Sequence, residues 1–250
     1  MTAAIETRGL RKVYGDVTAL ADLTLTVEEG ELFGLLGPNG SGKTTTIDVL
    51  TGQRTPTTGE ATVLGVDPVE SPVEVRERVG IVPEGEAPPS FMSPREYFQF
   101  VGDVRELNDV EARIDEWAAR LAFEGKLDTL CTDLSKGQRQ KVMLTGAFLH
   151  EPDLVFIDEP LVNLDPIVQE RFKEYVRDYH AAGNTLFLST HFVGVAEELC
   201  SRVGIVADGE FVAEVGSDEL GETDLLDAFL DEVGESAGDV PVESGPSVQP

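Results

Sequence analysis

The run Gly37-Pro38-Asn39-Gly40-Ser41-Gly42-Lys43-Thr44-Thr45 gathers glycines, hydroxyls and a lysine in one short stretch, spaced G-x-x-x-x-G-K-[ST]. Glycines let a backbone bend until its N–H groups face phosphate oxygens, and the positive end of a following helix adds to the attraction. Lys43 suits the β- and γ-phosphates of a nucleoside triphosphate, and the Thr44 hydroxyl suits Mg²⁺. A second stretch, Leu154-Val155-Phe156-Ile157-Asp158-Glu159-Pro160, delivers two carboxylates at the end of an apolar strand. Asp158 can hold Mg²⁺ through its waters, and Glu159 can polarise an attacking water. Singly, the two stretches could be a Gly-rich turn and a solvated strand end. Together they point to phosphoryl chemistry, with kinases, GTPases and ATPases all open.

The elements that must position these groups are legible as an α/β pattern. Residues 5–37 read as strands, ending in the continuous apolar run of residues 32–36, as expected of a strand buried on both faces. A helix follows through about residue 52, then a loop over RTPTTGE, then strand-like ATVLG and VGIVP around a short helix at 73–78. Beyond Pro83 the pattern turns helical: Ser93, Pro94 and Glu96 form a capping box, VEARIDEWAARLAF has helical periodicity, and a helix runs from Ser135 to near His150. Strands LVFID, TLFLS and RVGIVA return with helices at 168–180 and 193–200 between them, and TDLLDAFLDEV is a last amphipathic helix. The expected organisation is a P-loop NTPase core with a mostly parallel sheet and N-terminal antiparallel strands, over 1–84 and 151–220. A helical subdomain is inserted at 85–150, a helix follows at 221–234, and an acidic Gly/Ser/Pro-rich disordered tail closes the chain at 235–250.

Composition narrows the partners. The 250 residues carry 47 Asp plus Glu against 19 Lys plus Arg, a net charge of -28. Nucleic acid is excluded as a partner, because phosphate binding needs a basic footprint. The acids are spread along the chain, which predicts self-repulsion relieved by molar salt and a halophilic source. Cys131 and Cys200 form no disulfide framework and suit a reducing cytosol. No secretion signal and no apolar run of membrane-span length are expected, so any membrane role needs a second chain.

Against that acidity, residues 132–141, TDLSKGQRQK, hold Lys136, Arg139 and Lys141. With this run beside the two phosphate-chemistry stretches, the chain resembles the ATP-binding subunit of an ABC transporter, over roughly residues 5–216. Leu134-Ser135-Lys136-Gly137-Gln138 looks like that family's signature sequence. The resemblance implies ATP and Mg²⁺, and two subunits that sandwich two ATPs head to tail. Each signature then meets the γ-phosphate held by the other subunit's loop, with Ser135 capping a helix aimed at it and Gly137 allowing close approach. Arg139 and Lys141 fit a solvated helix face, whereas Lys136 stands where the family often has a second glycine and is the better candidate for a phosphate or interface contact. Further positions carry over singly. Tyr14 matches the aromatic residue stacked on adenine, or else packs on the core. His191 matches the switch histidine near the γ-phosphate, and Asp165 the loop after the paired carboxylates. His150 and His180 match nothing and read as surface residues.

Two positions depart from the family pattern. Glu84 stands where a glutamine is usual and is expected on the Mg²⁺ side with Thr44 and Asp158; Val162 replaces a serine and its cross-dimer hydrogen bond. Glu84 and the SKGQRQK run are similar to members of two-component export and multidrug or sodium efflux systems. The implied function is an ATPase, homo- or heterodimeric, that drives a separate permease, of exporter type, from the inner face of the cell membrane. The alternatives are a soluble ABC ATPase acting as an assembly scaffold and a P-loop small-molecule kinase, the latter opposed by the signature run.

Overall fold

The computed structural model describes residues 2–85, 87–216 and 225–233. The tail expected at 235–250 lies outside the described residues. In chain order the elements are β1 (Ala3–Tyr14), β2 (Val17–Glu28), β3 (Leu32–Leu36), α1 (Lys43–Leu50), β4 (Thr58–Val63), α2 (Pro72–Arg78) and β5 (Val79–Val82). Then come α3 (Pro94–Val104), α4 (Val110–Arg120), α5 (Lys136–Phe148), β6 (Leu154–Asp158), α6 (Pro166–Ala181), β7 (Thr185–Thr190), α7 (Val193–Leu199), β8 (Arg202–Ala207), β9 (Glu210–Val215) and α8 (Leu225–Val233).

The strands form one sheet in the order β4-β1-β2-β9-β8-β3-β7-β6-β5. Strands β8, β3, β7, β6 and β5 run parallel, while β1 is antiparallel to both of its neighbours, β4 and β2. This is the mixed, mostly parallel α/β sheet expected. The apolar runs are continuous because both faces are covered, and side chains alternate between two cores. Leu32, Leu36, Val155, Ile157, Leu186 and Leu188 face the core shared with α4, α5 and α6. Phe33, Leu35, Phe156 and Phe187 face the core shared with α1 and the β1–β2 ribbon. On that second face the Phe187 ring centroid lies 5.5 Å from Phe33 and 5.6 Å from Phe156.

The crossover from β5 to β6 carries α3, α4 and α5. The Ser93 box is present: its hydroxyl accepts the Glu96 N–H at 3.3 Å, and its own N–H donates to Glu96 Oε2 at 2.8 Å. Phe148 of α5 packs on Trp117, Phe172, Tyr175 and Tyr179, tying α4, α5 and α6 together.

Several boundaries differ from the sequence expectation. The VEARIDEWAARLAF helix stops at Arg120, because Ala122 takes a left-handed φ of 53° and Phe123 turns into the core at 4 % exposure. The RTPTTGE loop loses its last residues to β4, which pairs with β1 from Thr58. Strand β9 is an addition to the sequence expectation, marked only by the hairpin signal Asp208-Gly209; both residues have positive φ there, 50° and 81°. His150 and His180 are partly buried structural residues: their Nε2 atoms lie 3.3 Å from the Val79 carbonyl and 2.9 Å from the Gly30 carbonyl. Burial pushes the His150 pKa down to about 4.

Candidate functional site

The loop at 37–42 leaves the end of β3 and enters α1 at Lys43. It hangs from the neighbouring strand, since the Gly37 N–H donates to the Thr190 carbonyl at 3.2 Å. Gly42 has φ 105°, and a Cβ there would lie 2.4 Å from the Ala19 carbonyl oxygen, so no other residue fits. Among the described backbone bonds, no acceptor takes the N–H groups of Gly40, Gly42, Lys43, Thr44 or Thr45. The Ser41 hydroxyl is buried without a partner. An array of free donors at a helix start suits phosphate oxygens. Lys43, 6 % exposed, folds back over the loop: its Nζ donates to the Gly37 carbonyl at 2.8 Å and the Pro38 carbonyl at 3.1 Å.

Two strands away, β6 ends at Asp158, and Glu159 follows with a left-handed φ of 50°. That conformation is costly for a residue with a Cβ. It is held by the Glu159 N–H donating to the Ser189 carbonyl at 3.1 Å. The end of β7 holds both carboxylates by three consecutive side chains. Ser189 Oγ donates to Asp158 Oδ1, Thr190 Oγ1 to Glu159 Oε2 at 3.3 Å, and His191 Nδ1 to Glu159 Oε1 at 2.6 Å. Thr44 Oγ1 donates to Asp158 Oδ2 at 2.7 Å, and Lys43 Nζ lies 4.0 Å from Glu159 Oε1. Ser189 and Thr190 were missed from the sequence; the available signal was two hydroxyls ahead of His191 at the ligand-binding end of a parallel strand.

Burial dominates the electrostatics of this group. It lowers the Lys43 pKa, opposed by the charges of Glu159, Asp158 and Glu84. It raises the Glu159 pKa, opposed by the His191 hydrogen bond and by the charges of His191 and Lys43. Both shifts favour neutral forms, so the centre is short of polar solvation until a charged ligand arrives.

Among the described residues no cluster of three or more His, Cys, Asp or Glu forms a cage. Thr44 and Asp158 instead offer one hydroxyl and one carboxylate beside the phosphate loop. That fits Mg²⁺, which keeps several waters and is bound by one or two carboxylates plus substrate phosphates. Glu84 is exposed in the turn after β5, close enough for its charge to act on Lys43, and makes no hydrogen bond or ion pair among the described residues.

The remaining expected residues lie elsewhere. Tyr14, at the end of β1, is 42 % exposed, with Lys12 Nζ 4.9 Å from its ring centroid. The alternative that Tyr14 packs in the core is thereby excluded. Leu134 is buried, while Ser135 and Lys136 stand exposed at the start of α5. Ser135 Oγ accepts the Gln138 N–H at 3.2 Å, and Gln138 Oε1 accepts the Ser135 N–H at 2.9 Å, a complete capping box. No hydrogen bond or ion pair among the described residues joins 134–138 to the 37–45 loop. Gly137 already has a close neighbour in its own chain: a Cβ there would lie 2.5 Å from the Asn163 carbonyl oxygen. Arg139 and Lys141 are not a solvated face. Arg139 donates to the Leu134 carbonyl, and Lys141, 8 % exposed, lies 3.7 Å from Asp165 Oδ2. Asp165 also caps α6, its Oδ1 accepting the Val168 N–H at 3.1 Å. Val162 is 36 % exposed.

A phosphate loop whose lysine lies against a carboxylate at the end of a buried parallel strand is the working part of a P-loop nucleoside triphosphatase. The family model described as "ABC transporter" matches residues 20–162. The chain is 34% identical over 239 residues to the Nod factor export ATP-binding protein I of Cupriavidus pinatubonensis, covering 93% of this chain and 74% of that protein. It is 33% identical over 211 residues to the ABC transporter ATP-binding protein NatA of Bacillus subtilis, covering 83% of this chain and 86% of that one. A solved ATP-binding subunit of an ABC transporter superposes with a TM-score of 0.86 at 28% identity, over 92% of this chain and all of that one (100%). The chain belongs to the ABC transporter family and is an ATP-binding, ATP-hydrolysing subunit.

Proposed function

We propose that the chain binds ATP with Mg²⁺, closes as a dimer around two nucleotides and drives a separate export permease from the cytoplasmic face of the membrane. The observation that carries this reading is the division of the chemistry. Lys43, Asp158 and Glu159 form one buried group with the partly buried His191 at its edge, while the capped start of α5 stands exposed and unbonded to the phosphate loop. An exposed helix N-terminus with a fixed cap suits a phosphate supplied from outside the chain. The export assignment follows the relatives' names and the Glu84 and SKGQRQK features.

In this reading the free N–H groups of Gly40 and of residues 42–45 take the phosphate oxygens, and Lys43 turns its donors from the Gly37 and Pro38 carbonyls to the β- and γ-phosphates. Thr44 and Asp158 would hold Mg²⁺, which when bound neutralises phosphate charge. Glu159 accepts the proton of the water whose oxygen attacks the γ-phosphorus as the bond to ADP breaks. His191 orients Glu159 through Nδ1, and Tyr14 offers an exposed ring to adenine. Residues 134–138 act on the partner's nucleotide, and Asp165 lies in the loop at the interface. The segments 1–84 and 151–220 act as the nucleotide-binding unit and 85–150 as the signature-bearing one. Purification of the tagged chain from detergent-solubilised membranes tests the assignment. A transmembrane polypeptide is expected at fixed stoichiometry, and its removal should leave ATPase activity in the soluble chain. Recovery only in soluble assemblies would favour the scaffold role instead.

Glu84 is proposed as a metal-side group. An amide and a carboxylate both offer an oxygen to Mg²⁺ or its water, so Glu84→Gln should keep activity and Glu84→Ala should lose about ten- to a hundredfold. The wild type also crowds Glu84, Asp158 and Glu159 around one triphosphate, so it should need more Mg²⁺ than the Gln variant. ATPase rate against Mg²⁺ concentration checks this; superimposable curves for all three proteins remove Glu84 from the site.

The net charge of -28 further supports adaptation to a salt-filled cytoplasm. At ~1 M salt the Debye length is about 3 Å, so surface repulsion is largely screened. The melting temperature should therefore rise across a KCl series from about 0.1 M to about 2 M. A flat series would leave the charge without a role in stability and end the halophile reading.

A further inference from the structure

Helix α5 and the segment that follows the paired carboxylates meet along one helical face. Gly137, Gln140 and Lys141 stand at i, i+3 and i+4, the spacing that puts side chains on the same side of a helix. Each meets a different point of residues 160–165. Gly137 leaves only 2.5 Å between a would-be Cβ and the Asn163 carbonyl oxygen. Gln140 Nε2 donates to the Pro160 carbonyl at 3.5 Å, and Lys141 Nζ lies 3.7 Å from Asp165 Oδ2. Gln140 and Lys141 are each only 8 % exposed. A lysine on a helix ordinarily carries its ammonium out to water. This one points inward, between the Asp165 carboxylate and the Ala122 carbonyl at 3.5 Å.

The segment it holds begins next to Glu159 and is anchored from beneath by Leu161 and Leu164, both buried in the core. Its own turns close it through Val162 N–H to the Glu159 carbonyl at 3.4 Å and Leu164 N–H to the Leu161 carbonyl at 3.3 Å. Gln169 of α6 donates to the Leu161 and Leu164 carbonyls, at 3.1 Å each. The α5 face is thus one wall of the segment and α6 the other.

We infer that Lys141 is a positioning residue for hydrolysis: with Gly137 and Gln140 it clamps residues 160–165 to α5 and so fixes Glu159 relative to the capped start of that helix. Lys141 touches neither Glu159 nor the phosphate loop. Because Ser135 and Gln138 open the same helix, a shift of the α5 N-terminus is delivered through the clamp to the segment that leaves Glu159. The inference rests on Glu159 being the group that activates water.

The test is a double-mutant cycle on the purified full chain, with steady-state ATPase, nucleotide binding and melting followed together. Asp165→Asn removes the ion pair and keeps the α6 cap, because asparagine caps as well as aspartate. Lys141→Met should lower kcat about tenfold, a displacement effect, with the ATP Kd changed less than twofold. Lys141→Arg should restore most of the rate. The Lys141→Met/Asp165→Asn double variant should be no slower than the slower single variant. An unchanged kcat in Lys141→Met, multiplying effects in the double variant, or a loss confined to KM overturns the clamp. If Lys141→Met does not fold, Lys141→Gln with Asp165→Asn completes the same cycle. Glu159→Gln is run beside them: normal turnover there removes Glu159 from its assigned role, while the coupling between positions 141 and 165 is read independently.

Discussion

Glu159→Gln is expected to bind ATP as tightly as the wild type and to turn it over about a hundred- to ten-thousandfold more slowly, the usual range for losing a general base. The geometry separates the two effects. Among the described residues Glu159 makes no hydrogen bond or ion pair with the 37–42 loop, and it pairs with Lys43 at 4.0 Å. An amide is the same shape, still accepts from His191 Nδ1 and still fits the left-handed backbone at φ 50°. What it cannot do is take a proton. ATP held without hydrolysis should therefore accumulate in the closed dimer of the proposed mechanism. Size-exclusion chromatography with ATP and Mg²⁺ reads this as a shift to twice the mass. The pH profile gives an independent check. Burial raises the Glu159 pKa, and the charged form is the active one. Wild-type turnover should thus fall on acidification from a pH above the ordinary glutamate range, and that limb should be missing in the Gln variant. A Glu159→Gln protein that remains monomeric and hydrolyses ATP normally would sink the mechanism.

The parts of the site that were legible in the sequence share one property: their chemistry and their backbone are set by neighbours in the chain. The 37–45 loop needs its glycines where the backbone turns, and Ser135 needs Gln138 three residues on to close its cap; both patterns can be read directly. Residues set by distant contacts could not be. Ser189 and Thr190 read as the end of an apolar strand, because nothing local says that β6 will bring Asp158 and Glu159 beside them. Lys141 looked like a solvated helix charge until Asp165, from a segment after the next strand, came to face it. Gly137 was read as room for a partner's nucleotide, and in the chain itself it makes room for Asn163. The fold followed the same rule. Continuous apolar runs announced β3, β6 and β7, because burial on both faces demands them. The half-exposed β9 has no such run, and only its Asp208-Gly209 turn marked it.

Lys43→Ala should weaken ATP binding on the order of a hundredfold or more, since two charge-assisted hydrogen bonds to phosphate are each worth about 1.5–3 kcal/mol. Turnover then fails for lack of bound substrate rather than for lack of a base. The resting contacts explain why the loss is specific. Lys43 Nζ donates to the Gly37 and Pro38 carbonyls at 2.8 and 3.1 Å, so the ammonium is stored inside the cradle, in position to meet the β- and γ-phosphates. Burial lowers its pKa, and the nearby charges of Glu159, Asp158 and Glu84 oppose that. Removing it leaves two buried carboxylates facing an incoming triphosphate with only the backbone N–H groups and the bound Mg²⁺ to offset the repulsion. Arginine is no substitute, because a planar guanidinium cannot occupy the space a compact ammonium fills over the loop. The Ala variant should therefore need far more Mg²⁺ to bind any nucleotide, whereas Glu159→Gln should keep the wild-type requirement. Equilibrium binding of a fluorescent ATP analogue across a Mg²⁺ series, with melting curves to confirm that each variant is folded, separates the two. A folded Lys43→Ala protein with wild-type affinity would show that the loop amides alone hold the triphosphate, and that Lys43 serves only to neutralise Glu159.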